Sequence, residues 1–128
     1  MNTETNVLPT FPAFKNFACE GDTVQVAYKN LTIRARIHAD HDTHPQDFDC
    51  YTPEQIEAWQ NRGWSFVGIV LSVWLDDLCI DDHAASLWGI DCNLTDDNSY
   101  LTECANELMH EAVPAADAAL DRIRKAVA

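Results

Sequence analysis

The chain has 128 residues, 47% of them hydrophobic, and carries 21 Asp and Glu against 8 Lys and Arg, a formal net charge of -13. That length supports one domain with a real core and excludes a two-lobed enzyme with a deep interdomain cleft, while the hydrophobic content excludes a disordered acidic tail. The charge repels polyphosphate, so direct nucleic-acid binding is disfavoured and basic partners are favoured.

Residues 1 to 18 carry Pro9, Pro12, Phe11, Phe14 and Phe17 without a helical or strand period, and are expected to form an extended arm on a single domain that spans 1–128. Met1 to Pro12 lacks the basic start and apolar core of a signal peptide. The best apolar run, Phe66 to Leu75, is about half of the roughly 20 residues that a membrane helix needs. A soluble protein of the bacterial cytoplasm, with no membrane partner, is the expectation.

Thr23 to Tyr28, a Lys29-Asn30 turn and Leu31 to Ile37 alternate with the two-residue period of a hairpin, with Ile33, Ala35 and Ile37 on one face and Arg34 and Arg36 on the other. His38 to Cys50 is polar, contains Pro45 and reads as a surface loop. Thr52 with Gln55 forms a capping box, Pro53 suits the first helical position, and Tyr51 is placed to staple onto Ile56. A helix is predicted from Pro53 to Arg62, with Gly63 ending it.

From Trp64 to Leu75 both alternating faces are apolar, which marks a central strand covered on both sides. An acidic turn at Asp76 and Asp77 follows, and Ala84 to Cys92 returns as the partner strand, with Leu78 to Ile80 extending the ladder. Gly68 and Gly89 inside these strands mark a bulge or a close backbone approach. Trp59, Trp64, Trp74 and Trp88 are expected in core and helix–sheet packing.

Leu101, Cys104, Ala105, Leu108 and Ala112 recur at helical spacing, with Asn98 or Ser99 as N-cap and Glu103, Glu107 and Glu111 on the opposite face. Pro114 is expected to kink or restart the helix, after which Ala116, Leu120, Ile123 and Val127 make a second stripe. The resulting fold class is α+β: an antiparallel sheet of about four strands in ββαββα order, with a C-terminal kinked helix pair on one face.

Chemistry-bearing motifs are sparse. Five cysteines without a C-x-x-C pair argue against a disulfide framework and a zinc ribbon. No G-x-S-x-G and no clustered glycines are present, so neither an activated serine nor a phosphate cradle is expected. The strongest enzymatic pattern is His38, Asp40, His41 and His44, whose residue types and spacing suit a metal. It is similar to the end of the H-x-H-x-D-H motif of metallo-β-lactamase-like hydrolases, but Arg36 stands where the first histidine belongs. A metal-dependent hydrolase on this loop is the alternative reading; the main reading has no metal, no cofactor and no catalysis.

The carboxylates fall in segments: Asp40, Asp42, Asp47 and Asp49; then Asp76, Asp77, Asp81 and Asp82; then Asp91, Asp96 and Asp97. Loop-borne carboxylates of this kind are displayed, because an unpaired buried charge costs too much for a small domain. The first eight are the candidate partner-binding residues, expected to gather on one exposed face.

Asp47-Phe48-Asp49, Tyr51-Thr52-Pro53-Glu54, Trp64-Ser65-Phe66-Val67-Gly68, Ser86-Leu87-Trp88-Gly89-Ile90 and Asp97-Asn98-Ser99-Tyr100-Leu101-Thr102-Glu103 carry a family resemblance over about residues 30 to 112. The chain resembles small proteins carried by bacteriophages and integrated mobile elements. In these a W-x-[FY]-V-G strand, an S-L-W-G-[IV] strand and a D-N-S-Y-L-T-E helix start recur. The resemblance assigns kinship and carries over no catalytic residue. It implies an inhibitor of host defence, of the anti-CRISPR or anti-restriction kind, that mimics DNA. The partner would be a basic nucleic-acid-binding host protein or ribonucleoprotein complex, with the aspartates standing in for phosphates. A non-catalytic accessory module that binds another protein by its Trp-rich strand face is the third reading, and the oligomeric state is left open.

Overall fold

The structure is a computed structural model that describes residues 8–127; the first seven residues of the predicted arm lie outside this range. Its elements run β1 (Thr23–Tyr28), β2 (Leu31–Ala39), a short 3-10 turn (Pro45–Asp47), α1 (Pro53–Gln60), β3 (Ser65–Leu75), β4 (Leu78–Cys92), α2 (Ser99–Glu107) and α3 (Met109–Ala126). The four strands form one antiparallel sheet in the order β1-β2-β3-β4. Chain order equals spatial order because each strand is paired with the next by a short turn or, between β2 and β3, by one folded excursion. Among the described residues no helix is long and apolar enough to cross a membrane.

One face of the sheet makes the core. Ile33, Ala35 and Ile37 of β2 and Ile69, Leu71 and Val73 of β3 are sealed from solvent against Leu101, Ala105, Met109, Ala112 and Ala116 of the two C-terminal helices. The alternation read in β2 therefore sorts its side chains as predicted, with Arg34 and Arg36 left on the opposite face. Small residues at Ala112, Ala116 and Ala119 let α3 lie close on the sheet, chiefly over β4. From Leu8 to Ala18 the chain has neither helix nor strand, and Phe11 and Phe14 are buried in the same core. Side chains near and within α2 capture its backbone: the Phe11 N–H donates to Asn106 Oδ1 (2.7 Å), that of Phe14 to Thr102 Oγ1 (3.0 Å) and that of Ala18 to Asn93 Oδ1 (2.8 Å).

Several details depart from the sequence reading. The left-handed residue after α1 is Arg62 (φ 65), not Gly63; Gly63 donates to the Ala58 carbonyl at 2.7 Å, and a Cβ on it would stand 3.2 Å from that oxygen. Close approach, not conformation, is what needs a glycine there. The break in the C-terminal helices falls at Leu108, whereas Pro114 sits inside α3 at an exposed position. The second stripe stops early: Ala116 and Leu120 are buried, Ile123 is half-buried and Val127 is 80% exposed, because α3 runs past the edge of what it covers. Asn98 is the N-cap residue of α2, as expected, but in a left-handed conformation and with no side-chain bond to the helix. Its buried side chain instead accepts from the Asn93 N–H and donates to the Lys15 and Asn16 carbonyls, pinning the arm.

The largest departure is β4. Asp81, Asp82 and His83, read as part of an acidic loop, lie inside a single 15-residue strand. The strand absorbs them as bulges: its register against β3 slips between Trp74 and Val73, between Val73 and Leu71, and again between Ile69 and Val67. At the slip between Val73 and Leu71, Asp81 Oδ1 accepts the His83 N–H at 3.1 Å, supplying an acceptor at a point where the ladder is interrupted. At the slip between Ile69 and Val67, Gly89 adopts φ 75, which a β-carbon would oppose, and Trp88 lies flat over Gly68 across the strand pair. Trp88 is thus 48% exposed and covers a glycine from outside the core; of the four tryptophans only Trp64 is buried.

Candidate interaction surface

The second face of the sheet is divided in two. Near the start of β3 it is roofed by the excursion between β2 and β3. Phe48 packs on Phe66 (5.9 Å), and Tyr51 stacks on Trp64 (5.2 Å) and donates its hydroxyl to Asp91 (3.2 Å). The Thr52–Gln55 capping box, formed in both directions at 2.9 and 3.1 Å, starts α1 over this aromatic cluster. Further along β3 the face is open. It carries Arg34 and Arg36 on β2, Val70, Ser72 and Trp74 on β3, and Ser86 on β4.

The excursion also sets the first acidic group. Asp40 is structural: its two oxygens accept the Gly89 N–H (2.9 Å), the Thr43 hydroxyl (2.7 Å) and the Asp42 N–H (3.0 Å). Burial alone would raise this carboxyl, but the hydrogen bonds from Thr43, Asp42 and Gly89 outweigh it and hold the group below the ordinary aspartate value. Asp47 accepts the His44 N–H at 3.0 Å and so caps the 3-10 turn, while Asp42 and Asp49 are exposed. At the other end of the sheet Asp76 (φ 52) and Asp77 form the β3–β4 turn, with Asp82 exposed and Asp81 half-buried just beyond.

The eight candidate aspartates therefore form two groups instead of one patch. The 11 residues of β3 separate them, a span of about 30 Å at strand rise. One group forms the β3–β4 turn and the stretch of β4 after it, and the other, in the excursion, is tied to Gly89 of β4 by Asp40. Among the described residues none of the eight makes an ion pair with Lys or Arg. The cation–carboxylate pairs of lysine are Lys29–Asp117 (2.8 Å) and Lys125–Asp121 (3.1 Å), and Asp47 has only His44 at 4.0 Å.

The alternative metal loop is not assembled. His38 packs near Trp88 (6.1 Å), His44 against Trp59 (5.5 Å), and the Asp40 oxygens are committed as above. Among the described residues no group of three or more His, Cys, Asp or Glu side chains is arranged to hold a metal ion. One serine–histidine contact exists, His83 Nε2 to Ser86 Oγ at 2.9 Å, but it is exposed, and Asp81 takes the backbone N–H of His83. Nothing there orients a base or stabilises an oxyanion. A groove of about 860 Å³ opens between the arm and the end of α1, with Phe17, Trp59 and Arg62 at its rim and Cys92 in its floor. Burial pushes the Cys92 thiol up to about 11, so it behaves as a small hydrophobe.

Sequence reasoning placed Arg34 and Arg36 on the face away from the core but did not recognise that their face stays open. Arg34 sits 4.1 Å over the Trp74 ring and donates to Gln25 Oε1 at 2.9 Å. The available signal was the contrast between β2, which alternates, and β3, which is apolar throughout.

Comparison with known protein families, curated proteins and solved structures finds no match to this chain.

Proposed function

We propose that this protein is a non-catalytic inhibitor that engages the basic nucleic-acid-binding surface of a host complex and competes there with DNA or RNA. One observation carries the reading: among the described residues Asp42, Asp49, Asp76, Asp77 and Asp82 are exposed without lysine or arginine partners, in a chain of net charge -13. Their two groups lie about 30 Å apart, which corresponds to about nine base-pair steps of duplex, a spacing that a cationic channel accommodates. Charge of this kind steers the encounter, and exposed apolar side chains such as Phe48 supply residence time. The resemblance to proteins of phages and mobile elements supplies the setting, a CRISPR effector or a restriction enzyme as target.

Affinity capture from bacterial lysate, followed by salt titration, tests the proposal. The captured proteins are expected to handle nucleic acid and to be released by salt, and a variant with Asp42, Asp49, Asp76 and Asp77 changed to Asn is expected to capture them about tenfold less well or worse. Partners that do not bind nucleic acid, or that hold on equally in high salt and to the Asn variant, overturn it.

A further inference from the structure

The sheet ends in two unlike edges. β4 guards its own with bulges and with Asp81 and Asp82, whereas β1, from Thr23 to Tyr28, has no charge, no proline and no break in register. The phase of its ladder is fixed where Ile37 donates to the Asp22 carbonyl (3.0 Å) and accepts from the Gly21 N–H (2.8 Å). Every second residue from there bonds to β2, so Val24, Val26 and Tyr28 direct their backbone groups into the sheet. Thr23, Gln25 and Ala27 turn theirs outward. All three residues are exposed, and among the described residues no hydrogen bond reaches those outward groups. We propose that this edge takes an extended acidic segment of a partner protein as an added antiparallel strand.

Charge selects the occupant. From Thr23 to Ala39 the chain carries Lys29, Arg34 and Arg36 and no carboxylate. Lys29 is paired with Asp117, but among the described residues neither arginine has an ion-pair partner. Arg36 is exposed, level with Thr23, and leans toward the edge: its Nη2 lies 3.8 Å from where a Cβ on Gly21 would stand. Arg34, level with Gln25, is held on the same face between Gln25 Oε1 and the Trp74 ring. Residues of an added strand opposite Thr23 and Gln25 show their side chains on this face. They stand two strands, about 10 Å, from β2, a gap that glutamate and arginine side chains span together. The alternate residues face the other way, beside the half-buried Val24 and Val26. The segment recognised is therefore an alternation of acidic and apolar residues, read through backbone bonds and every second side chain. A second copy presenting its own β1 brings no carboxylate to these arginines, and a nucleic acid has no backbone ladder to offer. The net charge of the chain repels an acidic peptide at long range. Physiological salt screens that repulsion beyond about 8 Å, so the contacts at the edge decide.

The probe is a capped eight-residue peptide alternating Glu and Val, added to the full chain at physiological salt and read by amide hydrogen exchange. Exchange at Thr23, Gln25 and Ala27 is expected to slow about fivefold or more at saturation. Arg36→Glu, at an exposed site, is expected to weaken peptide binding about tenfold or more with an unchanged melting temperature. A peptide alternating Ser and Val is expected to bind the wild type about tenfold less well than the acidic one. Unaltered exchange at the three amides overturns the proposal, as does equal binding by Arg36→Glu or by the Ser–Val peptide. Protection of the same amides without peptide, deepening with protein concentration, gives the edge to a second copy and overturns it too. No basic protein is present in this experiment, so its failure leaves the inhibitor reading standing, and the capture experiment can fail while the edge takes the peptide.

Discussion

Single side chains explain why some of this protein's acids are for display and others are not. Asp40 holds the excursion to β4 through Gly89, Thr43 and Asp42. Asp40→Ala leaves the half-buried Gly89 and Thr43 donors without an acceptor, and is expected to cost about 2 kcal/mol in urea denaturation. Asp42→Asn, at an exposed site, is expected to leave the midpoint in place and weaken only binding. Since the folded Asp40 carboxyl lies below its unfolded value of 3.8, its contribution is present above that pH and is lost as the pH falls through the folded value. Gly68 is the second telling position. A Cβ there would meet Trp88 Cε3 at 2.1 Å, so Gly68→Ala must displace the indole. The expected cost is about 1–2 kcal/mol, and in a Trp88→Ala background the same change is expected to be neutral or stabilising. A double-mutant cycle by thermal melting gives the coupling; independence of the two substitutions refutes the contact.

Elements with one strong period were legible, and elements governed by their neighbours were not. The β1–β2 hairpin, the capping box of α1 and the buried stripe of α2 follow from local pattern, and each is found where the pattern puts it. β4 was misread because Asp81-Asp82-His83 interrupts its apolar alternation; only pairing to β3, with bulges, turns that interruption into strand. The break at Leu108 was likewise invisible, since Pro114 offers the louder local signal while the packing of α2 and α3 on the sheet sets the break. One tie between distant elements had no local signature: Tyr28 and Lys29, at the hairpin turn, both donate to Asp117 of α3 at 2.8 Å. Lys29 holds the Asp117 carboxyl below its ordinary 3.8, and Asp117 in turn raises the Lys29 ammonium above 10.5. The carboxylate's share of this tie is present above pH 3.8 and lost as the pH falls through the lowered value; the ammonium's share is lost as the pH rises through the raised one. Amide exchange in β1 is therefore expected to quicken at both extremes relative to β3. An Asp117→Asn chain is expected to remove the acid limb, and a β1 profile unchanged by that substitution refutes the tie.

For the whole molecule, composition announced the charge but not its layout. Fourteen aspartates and seven glutamates can be counted in the sequence, whereas the division of the eight candidate aspartates into two groups, and the placing of Arg34 and Arg36 on the open face, depends on register and on how the excursion folds back. A compact body of net charge -13 repels itself, and salt shortens that repulsion to a reach of about 8 Å at physiological strength. The melting temperature is accordingly expected to rise as sodium chloride is increased from a few millimolar to that level, and a flat or falling profile means that the acids are neutralised in a way the ion pairs do not reveal.

The side chains that hold the arm have a consequence for how the protein is made. Phe11, Phe14 and Ala18 leave the ribosome early, yet Asn93, Asn98, Thr102 and Asn106, which grip them, are translated some 80 residues later. Until those residues are translated, the backbone of the arm lacks the side chains that accept its N–H groups. Docking the arm is therefore one of the last acts of folding, and a nascent chain stalled before Asn93 is expected to expose it to protease.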